Sequence, residues 1–360
     1  DISTIGTATN NSRHIMVIAG HAFADSVIVD GLVIKDGYAD GGGSFTVNGQ
    51  LIANNDGAGL VTQGNNNNRS IAIRNCTFIN CYASGSGGAV DNNNNTIPTF
   101  LNCTFSNNYA GQKGGAVRNF ATSPAVYAYC SFIGNASGDR GGAAENDMAG
   151  ALYTNCSFVN DSAANRGGAM HSTACTITID NSIFRDNKTN LANNSTASGY
   201  GGAILNDNAF LYAEKCSFIG NKSTSGGGGV LLENGNTTEL VSCVFYNNSV
   251  ISGSGTLGSG GGLQINGSGG LVFATNVAFA NNIAGGINAD GGGAITAYAG
   301  TITCDNVSFS NNTTGSLTKP NANAISIMGS GSVTLDNSII WGDAAQQVHN
   351  LGTITYNYSI

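Results

Sequence analysis

Charged side chains are scarce in this sequence. They make up 9% of the residues, whereas about 25% is usual for a soluble domain. Hydrophobic residues still account for 41%, so disorder caused by an excess of charge is excluded. We therefore expect a folded chain whose surface is solvated mainly through Asn, Ser and Thr rather than through charged groups.

Basic residues are the scarcer of the two signs. The chain has 13 Lys and Arg against 21 Asp and Glu, which gives a formal net charge of −8. No nucleic-acid partner is expected, because such a partner requires clustered Lys and Arg. Long apolar runs are also missing, since no segment reaches the roughly 18 residues that a membrane helix needs. We expect no membrane span and no leader sequence after Asp1.

Proline is rare, with 3 residues, but glycine is abundant, with 53, and asparagine is almost as frequent. Gly and Asn tolerate left-handed backbone, so closely spaced turns are expected and long helices are not. The fold should therefore consist of short strands joined by many turns.

Two short patterns alternate along the chain and reveal an internal repeat. One is Gly-Gly-Ala followed by an aliphatic residue, at 87–90, 114–117, 141–144, 167–170, 201–204 and 292–295, with looser copies at 227–230 and 261–264. The other is Phe-x-x-Asn, which begins at Phe105, Phe132, Phe184, Phe218, Phe245, Phe279 and Phe309. Phe78 and Phe158 begin variants that carry Cys81 and Asp161 in the fourth place.

The spacing of the two patterns indicates the fold class. From the second Gly to the next Phe there are always 16 or 17 residues, whereas the return from Phe to the next Gly step varies from 10 to 18. A basic period of 26 or 27 residues without helical periodicity fits one coil of a solenoid. Because only the segment from Phe to the next Gly step varies in length, all insertions are predicted to leave from one edge.

Alternation along residues 126–132 is typical of a strand. One alternate set contains Val126, Ala128, Cys130 and Phe132, and the other contains Tyr127. Because Cys130 and Phe132 belong to recurrent apolar columns, their set is predicted to face the interior.

A column of Cys and aliphatic residues lies just before the Phe residues, and we predict that it is buried. Stacked coils place equivalent residues about 4.8 Å apart, so this column and the Phe residues should form internal ladders. The predicted core ladder consists of Cys76, Cys103, Cys130, Cys156, Cys216, Cys243, Phe105, Phe132 and Phe158, with Ile183, Val277 and Val307 assigned to the Cys column. Asn residues that precede the column, such as Asn75 and Asn102, should form a ladder of turns.

The sequence thus predicts an all-β protein, a right-handed parallel β-helix of roughly ten or eleven coils. Residues 1–360 are expected to form a single domain. Residues 1–70 would be an N-terminal cap with irregular first coils, 71–343 the regular coils, and 344–360 a C-terminal coil or cap.

These repeats resemble the passenger repeats of chlamydial polymorphic membrane proteins. The chain is also similar to right-handed β-helix surface proteins of Bacteroidota-type bacteria, through the segments VDGLVIKDGYADGGG, DNSIIWGD and ITYNYSI at residues 29–43, 336–343 and 354–360. The resemblance implies a secreted protein, or one tethered at the outer cell surface, often as one module of a larger adhesin.

The 9 Cys raise the question of disulfides, since the resemblance implies an extracellular location. Six lie in the buried column, where a reduced thiol behaves as a small apolar side chain. The redox state of Cys81, Cys175 and Cys304 stays open. No paired Cys spacing supports a metal site, and we expect no metal and no cofactor.

Charged residues gather near the Gly steps of consecutive coils and form the best candidate site. Two columns are predicted, one of Lys113, Arg140 and Arg166, the other of Asp91, Arg118, Glu145 and His171. They are interpreted in three ways: a solvated ladder of ion pairs, a glycan-binding face, or a catalytic group. If the protein is an enzyme, the catalytic residues would be Arg140, Glu145, Arg166 and His171.

Insertions at residues 188–200 and 249–260 are predicted to leave the helix at one corner, where loops often bind ligands. Tyr200 and Tyr246 are predicted near this edge, where they could stack on sugar rings. The full set of candidate binding residues is Lys113, Arg118, Arg140, Glu145, Arg166, His171, Tyr200 and Tyr246.

The first functional hypothesis is a noncatalytic adhesin or structural stalk, extracellular or on the outer cell surface. Its partners would be glycans or the surface of a host or neighbouring cell. One alternative is a polysaccharide lyase or glycoside hydrolase with its site on residues 113–171. Another is a filament subunit that associates end to end through open coil edges.

Overall fold

Short strands form the described part of this computed structural model, which comprises residues 13–20, 27–64, 70–189, 199–235, 237–251, 258–285, 291–315, 324–342 and 347–360. No helix occurs among these residues, so none of them provides an apolar helix that could cross a membrane. The chain divides into two compact units: residues 1–163 with 169–176, and residues 164–168 with 177–360. They are called the first and the second unit below.

Strands that occupy the same place in successive coils make up four faces. Face 1 contains Met16–Ala19, Leu60–Gln63, Val90–Asn93, Val117–Phe120, Ala144–Asp147, Met170–Thr173, Ile204–Asp207, Val230–Glu233, Leu263–Ile265, Ile295–Ala297, Ile325–Ile327 and Val348–Asn350. Face 2 contains Val27–Asp30, Ser70–Arg74, Ile97–Leu101, Ala125–Ala128, Ala151–Thr154, Thr176–Asp180, Phe210–Glu214, Thr237–Val241, Leu271–Thr275, Thr301–Asp305, Ser332–Asp336 and Thr353–Asn357. Face 3 contains Val33–Lys35, Thr77–Ile79, Thr104–Ser106, Ser131–Ile133, Ser157–Val159, Ile183–Arg185, Ser217–Ile219, Val244–Tyr246, Ala278–Ala280, Ser308–Ser310 and Ile339–Trp341. Face 4 contains Tyr38–Ala39, Tyr82–Ala83, Tyr109–Ala110, Ala136–Ser137, Ser162–Ala163, Lys188–Thr189, Lys222–Ser223, Ser249–Val250, Ile283–Ala284 and Thr313–Thr314.

Neighbouring strands of each face pair in parallel and in constant register within each unit. In the first unit Phe105 pairs with Phe78 and Phe132, and in the second unit Phe218 pairs with Phe184 and Phe245. This stacking of successive coils confirms the parallel β-helix that the repeat predicts. Among the described residues, faces 1 and 2 have twelve strands each, face 3 has eleven and face 4 has ten, which is close to the ten or eleven coils expected.

Phe rings stack along the interior of both units. Ring centroids along Phe78, Phe105, Phe132 and Phe158 are 5.0, 4.8 and 4.6 Å apart. The rings of Phe184, Phe218, Phe245, Phe279 and Phe309 stack in the same way in the second unit. Since burial of one such ring contributes about 1.5–3 kcal/mol, these ladders are a major source of stability.

The Cys column lies at the buried corner between faces 2 and 3. All nine Cys are free thiols, and the Cys130 Sγ lies 3.4 Å from the carbonyl oxygens of Phe100 and Ala128. Ser182 occupies the same place in another coil, where its hydroxyl donates to the Asp180 carbonyl at 2.8 Å. The assignment of Ile183 to this column is wrong, because the register pairs it with Ser217, one place further along.

Left-handed residues turn the chain between faces 2 and 3. Asn75 and Asn102 have φ of 52° and 53° there, and the Asn102 amide donates to the Asn75 Oδ1 at 2.8 Å. The predicted ladder of turns is thus present at this corner.

The same corner corrects the predicted orientation of residues 126–128. Tyr129 is left-handed, with φ of 54°, and such a residue between two strands reverses the side to which alternate side chains point. Tyr127 is therefore fully buried, while Val126 and Ala128 are half-buried. The prediction that Val126 and Ala128 face the interior is wrong.

The Asn of several Phe-x-x-Asn steps bonds to the coils on both sides. The Asn108 Nδ2 donates to the Phe78 carbonyl at 3.1 Å and to the Asn135 Oδ1 at 3.0 Å. The same two bonds recur in the second unit, for example from Asn248 to Phe218 and to Asn282. These side chains are fully buried, so a hydrogen-bonded amide ladder accompanies the Phe ladder.

An antiparallel hairpin of Ser44–Val47 and Gln50–Ala53 interrupts the first coils. It turns at Asn48 and Gly49, both left-handed, which is the most common sequence signal of a two-residue hairpin turn. This signal lies within residues 1–70, which were predicted only as a cap with irregular first coils.

Candidate functional site

The second predicted column of charged residues lies along face 1 of the first unit. The register pairs Asp91 with Arg118, Arg118 with Glu145, and Glu145 with His171. The backbones of Gly57 and Gly87 lie directly against Asp91, at distances that leave no room for a side chain at either Gly. The column is largely buried. The side chains of Arg118 and Asp91 are 14% and 4% exposed, and those of Glu145 and His171 have no exposed surface.

Arg118 pairs with two carboxylates at one end of the column. Its Nε donates to Asp91 Oδ1 at 2.6 Å, and its Nη2 donates to Asp91 Oδ2 at 2.9 Å and to Asp56 Oδ2 at 3.0 Å. Burial raises the pKa of Asp91, and the charge of Arg118 opposes that rise. Burial acts to lower the pKa of Arg118, but Asp91 and Asp56 outweigh it, so the pKa is raised and the guanidinium stays charged.

Glu145 and His171 form a second buried pair. The His171 Nδ1 is 3.1 and 3.0 Å from the two carboxyl oxygens of Glu145, and the His171 Nε2 is buried without a hydrogen-bond partner among the described residues. Lys113 Nζ is 3.9 Å from Glu145 Oε1 and 3.0 Å from Asp147 Oδ2. Burial also raises the pKa of nearby Cys175 to about 12.

The remaining two members of the alternative catalytic group have other partners. Arg140 pairs with Asp139 at 3.1 Å, and Arg166, in the second unit, pairs with Glu233 at 2.9 Å. The structure thus brings Glu145 and His171 into contact, whereas Arg140 and Arg166 each pair with a different carboxylate. A polysaccharide has no access to the buried Glu145 and His171 side chains.

The two candidate tyrosines lie on different parts of the second unit. Tyr246 ends the face 3 strand Val244–Tyr246 and is exposed, whereas Tyr200 bridges Arg166 and Gly226 beside face 1. Within the predicted insertions, residues 190–198 and 252–257 lie outside the described residues. Both insertions connect a face 4 strand to the next face 1 strand. This connection belongs to the part of the repeat that varies in length, from Phe to the next Gly step.

Sequence reasoning missed a tyrosine ladder on the outer side of face 4 in the first unit. Tyr38 stacks on Tyr82 with ring centroids 4.7 Å apart, and Tyr82 on Tyr109 at 5.5 Å. The register continues from Tyr109 to Ala136, whose side chain is small, and Tyr109 is 39% exposed. A recurring Tyr-Ala pair four residues after Phe78 and Phe105 was the signal that could have revealed it.

Comparison with known proteins identifies the type of repeat. Residues 102–119 and 215–233 match the family model described as the Chlamydia polymorphic membrane protein repeat. Each match contains one Phe-x-x-Asn step and the following Gly-rich step. The chain is therefore a parallel β-helix that contains repeats of this polymorphic membrane protein type. No curated protein and no solved structure matches it.

Proposed function

We propose that this chain is a noncatalytic β-helix of the outer cell surface, or a secreted one, that acts as a rigid adhesin and binds glycans. The polymorphic membrane protein type of its repeats supports the location. Interior ladders that link neighbouring coils within each unit support the rigidity. The burial of Glu145 and His171 argues for structural roles of these two residues rather than for contact with a polysaccharide.

The tyrosine ladder of face 4 is the observation that carries the glycan-binding part. One face of the Tyr109 ring lies against Tyr82, and the register pairs Tyr109 on its other side with Ala136, whose side chain is a single methyl group. Tyr supplies a large, rigid contact area together with a polar hydroxyl. Since a pyranose ring has an apolar C–H face and a rim of hydroxyls, it fits beside this ring. Tyr246 is a further exposed candidate.

The test compares two exposed tyrosines of the first unit by glycan-array and cell-binding assays. We expect Tyr109→Ala to weaken glycan binding about tenfold or more, which corresponds to a loss of about 1.4 kcal/mol or more of binding free energy. Tyr129→Asn is the matched control, since Tyr129 is exposed but outside the ladder. It occupies a left-handed corner where other coils have Asn. Absence of glycan and cell binding by the unmodified chain, or an equal loss in both variants, would contradict the proposal.

A further inference from the structure

Lys113, Glu145 and Asp147 form a cluster that the proposed binding function does not use. The Lys113 amine is 3.0 Å from the Asp147 carboxylate and 3.9 Å from that of Glu145. Side-chain exposure is 29% at Lys113 and 18% at Asp147, and it falls to zero at Glu145. An amine thus contacts one carboxyl group and lies close to a second one that is shielded from water.

We propose that Lys113 and Asp147 condense to an isopeptide bond and that Glu145 transfers the proton. The Lys113 ammonium gives one proton to Glu145, and the neutral Nζ attacks the Cγ of Asp147. The Nζ–Cγ bond forms and a Cγ–O bond breaks. The oxygen leaves as water with the proton that Glu145 returns and a second proton from Nζ. The charges of ammonium and carboxylate disappear together, so the step needs no oxidant, reductant or other reactant.

The fold holds the three groups in the arrangement that this step requires. Lys113 forms a parallel bridge with Arg140, just before the strand Ala144–Asp147, which carries both carboxyl groups two residues apart on the same side. Groups fixed in this way react as if at very high concentration. The contact of His171 with both oxygens of Glu145 fixes the orientation of that carboxyl group.

The distance from Lys113 to Glu145 sets the movement that the reaction needs. A proton passes directly between heavy atoms about 2.6–3.2 Å apart, so the amine has to approach Glu145 by roughly 1 Å from its present position. Catalytic contacts are often longer before reaction than during it. In the second unit, Arg166 makes a similar contact with Glu233, but a guanidinium is too weak a nucleophile to form this amide.

The intact mass of the purified 360-residue chain under reducing conditions tests the proposal. We expect a mass lower than that of the sequence by one water molecule. After trypsin digestion, we expect residues 75–118 to be joined to residues 141–166, because a modified Lys113 is not cleaved. Asp147→Asn should instead lose one ammonia molecule, because the amide nitrogen leaves in place of the oxygen when the bond forms. A chain with the full sequence mass after prolonged incubation at neutral pH would overturn the proposal.

Two variants separate the isopeptide bond from other losses of water, such as closure of an Asp side chain on its own backbone. Lys113→Arg retains the charge pair but cannot form the bond, so it should have the full mass; persistent loss of water in this variant would overturn the assignment. Glu145→Gln should form the bond about 100-fold more slowly or worse, the usual minimum effect of losing a proton-transfer group. Circular dichroism verifies that each variant is folded. An unchanged rate in folded Glu145→Gln would overturn the role of Glu145.

Discussion

At the scale of single residues, Asp161 departs from the ladder of buried amides. At equivalent places Nδ2 donates to the Phe carbonyl one coil earlier, as Asn135 does to Phe105 at 3.0 Å. An ionised Asp161 has no proton to donate to the equivalent carbonyl of Phe132, whereas a protonated carboxyl group has one. Burial accordingly raises the pKa of Asp161 to about 8, although hydrogen bonds from Asn135 act to lower it.

We expect Asp161→Asn to stabilise the protein increasingly as the pH rises. The folded-state pKa of about 8 lies above the ordinary value of 3.8, so the folded state binds more protons between these values. The stability that protonation contributes is complete below about pH 4 and is lost by roughly 1.4 kcal/mol per pH unit up to about pH 8. Urea unfolding at pH 4, 6 and 8 should therefore show a difference between variant and parent that grows with pH.

Asn135→Asp is the matched control for this prediction, because it introduces a carboxyl group at the preceding rung of the ladder. It should lower stability most at pH 8 and least at pH 4. If Asp161→Asn changed the free energy of unfolding by the same amount at all three values, Asp161 would not be protonated in the folded state.

Replacement of Arg118 should be strongly destabilising. Arg118→Met would leave the buried Asp91 carboxylate without its positive partner, and loss of one member of a buried ion pair costs about 3–5 kcal/mol. Chemical denaturation at neutral pH measures this loss. The double variant Arg118→Met with Asp91→Asn should recover part of it, and a double variant no more stable than the single one would show that the charge is not the cause.

At the scale of secondary-structure elements, the repeat predicted the strands and their register but not every side-chain direction. The Phe and Cys columns could be predicted because their spacing is constant. The direction of Tyr127 could not be derived from alternation, because the left-handed turn at Tyr129 changes the phase. Sequence periodicity shows where equivalent residues stack. If a left-handed residue at a corner is overlooked, however, every side chain of the adjoining strand is predicted to point to the wrong side.

Comparison of equivalent corners predicts that Cys130→Ser is tolerated. Ser182 and Ser338 already occupy this place, and their hydroxyls donate to the carbonyl two residues earlier at 2.8 Å. We expect a loss below about 1 kcal/mol for Cys130→Ser, whereas Cys130→Leu should lose about 1–3 kcal/mol by overpacking. Thermal unfolding of both variants tests this difference, and an equal loss would show that size is not the limiting property.

At the scale of the whole molecule, the sequence predicted the location of the charged column but not its burial. The recurrence of Glu145 and His171 beside Gly steps was visible in the sequence. The close approach of the Gly57 and Gly87 backbone to Asp91 in the same column was not visible there. A sequence pattern does not show which segment covers a column. The same charged residues could therefore be interpreted as a solvated ladder or as a ligand-binding face.

The thiols of the folded molecule should resist modification. Eight of the nine are buried, which keeps a reagent from reaching them. Burial also raises the pKa values of Cys81 and Cys304 to about 12, so at these two residues the reactive thiolate is rare at neutral pH. We expect a thiol reagent to modify at most the half-buried Cys175 in the folded protein and all nine in denaturant. Rapid modification of several thiols without denaturant would contradict this prediction.

The amide ladder also affects how a gene for such a protein can change in length. Buried Asn residues such as Asn108 and Asn248 donate to the coil before and to the coil after their own, so an extra coil introduced by recombination would find matching partners on both sides. Removal of half a coil would leave unmatched amides and carbonyls in the interior. Duplication or loss of whole 26- or 27-residue periods is therefore the change in length that the structure accommodates with least disruption.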